Sequence, residues 1–316
     1  VDPDNDDNIF VGSYIKVYGT HNWGTDTNLF ALTKYNSSGT KQWTKQLGTS
    51  SDERVAGIVT DPSGNIYVAG TTAAALGANS NAGDYDIYLI KYNSSGTSQW
   101  IKQLGSSAKD YSYWSGDGIA IDSSNNIYLT GYTAGGLDSN SSSGGWDAFL
   151  VKFDSLGSKQ WTRQLGTSSN DSGFVVDVDS SDNIYVASQG PLWRSGGQRG
   201  LYNSSDGGKS WKRILHVTED TGISDVVMDH NDHNIMYAST YQRRRHFGIL
   251  VAGGPEGGIF KSIDRGKSWK KLKNGLPSGD IGRIGLAISP QKSNVVYALI
   301  TAKEKTKGFY RSEDFG

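Results

Sequence analysis

Short runs rich in β-branched and aromatic residues recur along the whole chain, each bounded by Gly, Asn, Asp or Ser. The clearest set reads Gly118 to Asp122, Asn126 to Gly131, Asp147 to Phe153 and Lys159 to Gly166. Apolar runs of this length between turn residues predict strands, and four in about 50 residues predict an antiparallel meander. The second strand of the set returns six times, starting at Asn8, Asn65, Asn126, Asn183, Asn234 and Asn294. Meanders at so steady a period predict an all-β fold, a β-propeller of about six four-stranded blades. The terminal blades read as incomplete. The first lacks the body of its inner strand, and the last lacks an outermost strand. Outermost-strand tryptophans stand at Trp43, Trp100, Trp161, Trp211 and Trp269, with no sixth. A chain cut from something longer fits that pattern better than two three-stranded blades.

The repeat predicts one propeller domain over residues 1–316, with a change of style inside it. Residues 8–173 share the hairpin Lys-Tyr-Asn-Ser-Ser-Gly-Thr and the strand Gln-Trp-x-Lys/Arg-Gln-Leu-Gly. Residues 174–316 use a different outer hairpin, Ser-x-Asp-x-Gly-x-x-Trp. Two loops, Leu76 to Asp86 and Leu137 to Asp147, are long and polar and are natural places for binding.

Composition narrows the function classes. Only 35% of residues are hydrophobic and 41 are Gly, which suits many short strands and turns. The net charge of −1 gives no global attraction to nucleic acid. The absence of Cys removes disulfides, thiol catalysis and thiolate metal sites. No stretch has the apolar length of a membrane span. The chain starts without Met or a visible signal peptide, which suits a mature secreted chain or a segment of a larger one.

The first half, residues 8 to 166, resembles the bacterial and archaeal β-propeller repeat family abbreviated SBBP. The resemblance rests on Asp61 to Gly70, on Asp122 to Gly131, and on the hairpins at 34–40 and 91–97. That family usually has Asp where Asn36 and Asn93 stand. The second half resembles Asp-box (BNR) propellers of the sortilin-like and glycosidase-like branch. The box is met by Ser204, Asp206, Gly208 and Trp211, and by Ser262, Asp264, Gly266 and Trp269; Ser312, Asp314 and Gly316 keep part of a third copy. The box implies a structural hairpin, its Asp accepting turn N–H bonds and its Gly allowing the tight bend. The two resemblances together imply an extracellular or cell-surface propeller.

Asp-box rings include sialidases and other glycan hydrolases, so the resemblance also raises a glycoside hydrolase. Sialidase-like chemistry needs arginines from separate blades. Arg243, Arg244 and Arg245 are adjacent on one segment, and alternate residues of a strand point to opposite faces. Glu53, Glu219, Glu256, Glu304 and Glu313 fall in no recognisable catalytic pairing, so no catalytic residue is assigned. Asp138, Asn140 and Asp147, or Asn79, Asn81, Asp84 and Asp86, offer hard oxygens of the kind Ca²⁺ takes, without an Asp-x-Asp-x-Asp-Gly loop. Hydrogen-bonded turn side chains are the preferred reading, and no cofactor or metal site is expected. Sequons stand at Asn36, Asn93, Asn140, Asn170 and Asn203 and become glycosylation sites if the chain is exported in a glycosylating organism. Trp23, Trp114, Trp146 and Trp193 fall outside the repeating strand position and are the candidates for a binding surface. The sequence thus favours a non-enzymatic scaffold or recognition module for protein or glycan partners; the alternative is an Asp-box-type glycoside hydrolase.

Overall fold

The computed structural model describes residues 2–3, 8–17, 27–49, 51–112, 118–168, 170–171, 173–289, 291–302 and 306–316. The chain divides into two compact units, Val1–Ser168 and Ser169–Gly316, a few residues before the change of repeat style. Each unit holds three antiparallel sheets. In the first unit, β1 (Asp2–Pro3), β2 (Ile9–Val17), β3 (Thr27–Tyr35) and β4 (Lys41–Leu47) form the first sheet. The second is β5 (Glu53–Thr60), β6 (Ile66–Thr72), β7 (Asp86–Tyr92) and β8 (Ser98–Leu104). The third is β9 (Asp110–Ser112), β10 (Ile119–Ile121), β11 (Ile127–Thr133), β12 (Asp147–Phe153) and β13 (Lys159–Leu165). The inner strand of this sheet therefore starts earlier than the expected Gly118: β9 and β10 both pair with β11.

In the second unit, β14 (Gly173–Val178), β15 (Ile184–Ser188), β16 (Gly200–Ser204) and β17 (Lys212–Leu215) form one sheet. The next holds β18 (Thr221–Met228), β19 (Met236–His246), β20 (Ile249–Ala252), β21 (Gly258–Ser262) and β22 (Lys270–Lys271). The last has three strands, β23 (Ile284–Ser289), β24 (Lys292–Ile300) and β25 (Gly308–Ser312). The fold is all-β and its sheets are propeller blades, with the first inner strand short and the last sheet three-stranded.

Burial explains why the sheets stack. In β6 every residue is buried, so both of its faces are covered. Ile66 and Val68 pack with Phe10, Phe30 and Leu32 of the first sheet. Tyr67 and Ala69 turn the other way and pack with Leu129, Phe149 and Val151 of the third. A strand apolar on both faces has no stable place at a wetted surface, since each buried Val, Leu, Ile or Phe contributes about 1.5–3 kcal/mol. In the second unit Tyr237 and Ile259 pack with Ile284, Ile288, Val296 and Ile300 of the last sheet.

A ladder repeats across the first three sheets. Phe10, Lys34 and Trp43 stand opposite one another across β2, β3 and β4. Tyr67, Lys91 and Trp100 do so in the second sheet, and Tyr128, Lys152 and Trp161 in the third. Each ammonium sits 4.9–5.3 Å from its ring centroid, a favourable cation–π placement. The outer tryptophans meet the same inner rings, Trp43 at 6.1 Å from Phe10, Trp100 at 6.0 Å from Tyr67 and Trp161 at 6.1 Å from Tyr128, centroid to centroid.

Turns are tied by carboxylates. Asp61 Oδ1 accepts from the Ser63 and Asn65 amides at 3.0 and 2.9 Å, while Oδ2 accepts from Asn65 Nδ2 and the Tyr67 hydroxyl. Asp122 and Asp179 repeat the arrangement. Burial pushes the Asp122 carboxyl up, but bonds from Asn126 and Tyr128 and the Lys152 charge outweigh it and hold the group below its ordinary value. Burial and the neighbouring Asp61 push the Tyr67 phenol well up, so it stays a donor.

The hairpins that carry the Ser-x-Asp-x-Gly motif are closed by side-chain hydrogen bonds. Ser262 Oγ donates to Asp264 Oδ1 at 2.7 Å, the Gly266 amide donates to Ser262 Oγ at 2.8 Å, and Ser268 donates to Asp264 through both its amide and its hydroxyl. Trp269 Nε1 closes the turn on Gly266 O at 3.0 Å. Ser204, Asp206, Gly208 and Ser210 repeat the bonds, and Ser312, Asp314 and Gly316 keep part of them. Gly208 and Gly266 both sit at positive φ, 83° and 79°.

The hydrogen bonds from Ser268 and Ser262 hold the Asp264 carboxyl down at about 2, below the roughly 3.9 of an unfolded chain. A depressed folded value adds stability above the unfolded one and loses it as pH falls towards the folded one. The urea midpoint of Asp264→Asn is therefore expected to lie below wild type at pH 7, with the gap shrinking below about pH 4. A gap independent of pH contradicts the assignment. Packing gives a second expectation. A Cβ on Gly166 would lie 1.8 Å from Asp147 Oδ1, whereas one on Gly285 meets nothing within 4 Å. Gly166→Ala is expected to cost about 1–3 kcal/mol in denaturant unfolding, and Gly285→Ala almost nothing.

Candidate functional site

The two long loops of the first unit are built alike. Leu76 and Leu137 turn inward and are buried. The Asn79 and Asn140 side-chain amides donate to the Leu76 and Leu137 carbonyls, each at 2.8 Å. From the neighbouring outer strand, Gln103 accepts from the Leu76 amide at 2.9 Å and donates to Ala74 O and Asp86 Oδ2. Gln164 does the same for Leu137, Gly135 and Asp147. Asp86 and Asp147, fully buried, also accept from the Ala82 and Ser143 amides. Gly105 and Gly166 leave room for these carboxylates, since a Cβ at either would collide with them. The motif Gln-Leu-Gly is thus a staple for the loop between the second and third strands. These loops are fixed frameworks.

An aromatic cluster sits at this end of the sheets. Tyr85 and Trp146 directly precede the stapled Asp86 and Asp147, Tyr111 follows buried Asp110, and Tyr132 lies opposite Tyr111. Tyr111 is the centre: its ring centroid lies 5.0 Å from Tyr85, 5.4 Å from Tyr132 and 5.7 Å from Trp146. Trp146 meets Tyr132 edge-on at 5.0 Å. All four rings are half-buried. The strands beneath are joined across sheets, because the Asp110 amide donates to Tyr85 O at 2.9 Å and Ser112 bonds Thr71. Charged side chains edge the cluster. The Arg54 guanidinium lies 5.9 Å from the Tyr85 ring and pairs with Asp52 at 2.6 Å. Lys109 faces Asp84 at 3.8 Å. Burial, with Asp52 next in weight, pushes the Tyr85 phenol up, and burial raises Tyr111 as well. Both are neutral donors at physiological pH.

Of the four tryptophans expected to bind, Trp146 joins this cluster. Trp193 lies in the second unit, 58% exposed, with the Arg245 guanidinium 5.4 Å from its ring. Its loop is pinned by buried Arg199, whose guanidinium donates to the carbonyls of Gln189, Pro191 and Arg194. Trp23 and Trp114 lie outside the described residues. Sequence reasoning missed Tyr85, Tyr111 and Tyr132. Their signal was position: Tyr85 and Trp146 hold the same place in successive repeats.

The side chains considered for Ca²⁺ are bound into the loops, although the buried Oδ1 atoms of Asp86 and Asp147 accept no hydrogen bond. Asp138 pairs with Lys159, Asn81 Nδ2 donates to Gly83 O, and Asn79, Asn140, Asp86 and Asp147 hold the loops. Among the described residues no three His, Cys, Asp or Glu side chains converge as a metal site. The sequons differ in their settings. Asn36 and Asn93 turn Oδ1 inward to accept from Thr40 and Thr97 in their hairpins, and Asn170 is exposed. Asn140 and Asn203 instead use Nδ2, the atom that would carry a glycan, to bond Leu137 O and Ile184 O. Asn203 lies within β16 rather than in a turn.

Comparison with known proteins matches both halves. Residues 42–77, 99–138 and 160–189 match the β-propeller repeat SBBP, and residues 199–316 match the family described as Sortilin, neurotensin receptor 3 (Sortilin-Vps10). The chain is 26% identical over 169 residues to regulatory protein FlaEY of Caulobacter vibrioides, covering 49% of this chain and 17% of that protein. It is 33% identical over 95 residues to vacuolar protein sorting/targeting protein 10 of Colletotrichum graminicola, covering 30% of this chain and 5% of that protein. The chain therefore spans less than a fifth of the length of either relative. Among solved structures, the GH74 xyloglucanase of Xanthomonas campestris superposes with a TM-score of 0.54 at 16% identity, over 100% of this chain and 44% of that one. A GH74 enzyme of Niastella koreensis gives 0.55 at 15% identity, over 91% of this chain and 42% of that one. At such identities the likeness concerns the fold. The chain thus matches SBBP β-propeller repeats up to residue 189 and a Sortilin-Vps10 domain from residue 199.

Proposed function

We propose that this chain is a non-enzymatic recognition module, acting outside the cell or at its surface, and that the aromatic end of its first unit binds a glycan. The observation that carries the reading is the four-ring cluster around Tyr111, mounted on stapled loops and edged by Asp52, Arg54, Asp84 and Lys109. Aromatic faces beside fixed polar groups suit the apolar and hydroxyl-bearing sides of a sugar ring, and a preformed surface loses little entropy on binding. The Sortilin-Vps10 match supports a secretory or surface setting.

The fate of the acids supports a binding role over hydrolysis. Glycoside hydrolysis needs two carboxyl groups facing one substrate. Here the buried acids Glu53, Asp61, Asp86, Asp110, Asp122 and Asp147 accept bonds from neighbouring backbone amides or side chains that shape turns and loops.

Affinity electrophoresis against a panel of neutral and acidic polysaccharides tests the proposal. At least one polysaccharide is expected to retard the protein, and Tyr111→Ala and Trp146→Ala each to weaken that retardation by roughly tenfold. Retardation unchanged in both variants, no retardation by any polysaccharide, or release of new reducing ends from the bound one would overturn it.

A further inference from the structure

β19 outruns its sheet. Its pairing with β18 ends at Gln242 and its pairing with β21 at Thr240. Beyond that point Arg243 to His246 pair with β20 alone: Arg243 faces Ala252, Arg244 faces Val251, Arg245 faces Leu250 and His246 faces Ile249. Phe247 and Gly248 form the two-residue turn, with Gly248 at φ 77°. The result is a hairpin arm whose tip is apolar and whose shaft is basic. Phe247 is fully exposed, Ile249 is 61% exposed and Leu250 54% exposed.

The arm is held in position along its shaft. The Arg245 amide donates to Leu192 O at 2.8 Å. Arg244 pairs with Asp220 at 3.0 Å, its Nη1 also donating to Ser195 Oγ at 2.7 Å. Arg243, Arg245 and His246 have no carboxylate partner among the described residues. Trp193 lies against Arg245 on the pinned loop. An exposed two-stranded ribbon is marginal alone, and an aromatic and two aliphatic side chains at its tip form an apolar patch that calls for a partner.

We propose that this hairpin docks the protein on an anionic lipid surface. Phe247, Ile249 and Leu250 enter the boundary between headgroups and acyl chains, while Arg243, Arg245 and Trp193 lie at the headgroups. Two observations favour lipid over an acidic protein. Phe247 stands in the turn and Ile249 and Leu250 beside it on opposite faces of the ribbon, all exposed, so a protein partner would need a matching pocket around the tip, whereas a bilayer has no shape requirement. The order along the arm, apolar tip first and then cations with an indole beside them, follows the polarity gradient of a membrane interface.

Co-sedimentation of the full chain with phosphatidylcholine vesicles, with and without phosphatidylserine, tests this. Binding is expected only with phosphatidylserine and is expected to weaken with added salt. Each of Arg243→Gln and Arg245→Gln should lower it by about fivefold. The triple variant Phe247→Ser, Ile249→Ser, Leu250→Ser should abolish it, while its thermal unfolding matches wild type because the three side chains are exposed. No binding to either vesicle by the folded protein overturns the proposal and leaves an acidic protein as the partner. Binding lost in the arginine variants but kept in the triple variant overturns it too, since the tip is then not inserted.

Discussion

The structure depends on strands that are apolar on both faces. β6, with every residue buried, and β11, nearly so, lie inside stacks of sheets. Alternate side chains serve different neighbours: Ile66 and Val68 one sheet, Tyr67 and Ala69 the other. A single sheet of this sequence would expose both of its apolar faces, so no blade of this kind is stable alone. Stacking is what the repeat encodes, and it holds whether the outer hairpin is of the SBBP or the Asp-box style.

With the faces committed to packing, polar chemistry is left to the ends of the sheets, and there it is mostly structural. Carboxylates take up the amide groups that turns leave unpaired, which an apolar blade cannot do. Asp61, Asp122 and Asp179 tie the turn before the second strand, Asp86 and Asp147 tie the long loops through Gln103 and Gln164, and Asp206 and Asp264 tie the outer hairpins. Rigid loops follow, and with them a rigid display of Tyr85, Tyr111, Tyr132 and Trp146.

Much of the fold was legible because it is periodic. The Asn-Ile-Tyr strand and the turn aspartates repeat where expected, and Trp43, Trp100 and Trp161 lie on outermost strands, whereas Trp211 and Trp269 stand one residue before β17 and β22, in the turn rather than on the strand. What escaped reading lacked periodicity or depended on side-chain reach. β9 is three residues long and carries no apolar run of its own, so nothing local marked Asp110 to Ser112 as a strand. The order of the long loops was not legible because it comes from Gln103 and Gln164, more than twenty residues from the amides they hold. Trp146 stood out as a lone aromatic, but the tyrosines that complete its surface look like ordinary strand residues until the sheets bring them together. The arginine run was visible, and so was the alternation of its side chains; that it forms the shaft of a separate hairpin depended on the turn at Phe247-Gly248.

The central claim is that the recognition surface is preformed because its loops are stapled. Amide hydrogen exchange across the first unit tests this most directly. The Leu76 and Leu137 amides, bound to Gln103 and Gln164, are predicted to exchange as slowly as those of β6 and β11, and to lose that protection in Gln103→Ala and Gln164→Ala respectively. Exchange at those two amides as fast as in an unstructured peptide, with β6 and β11 still protected, would contradict the account.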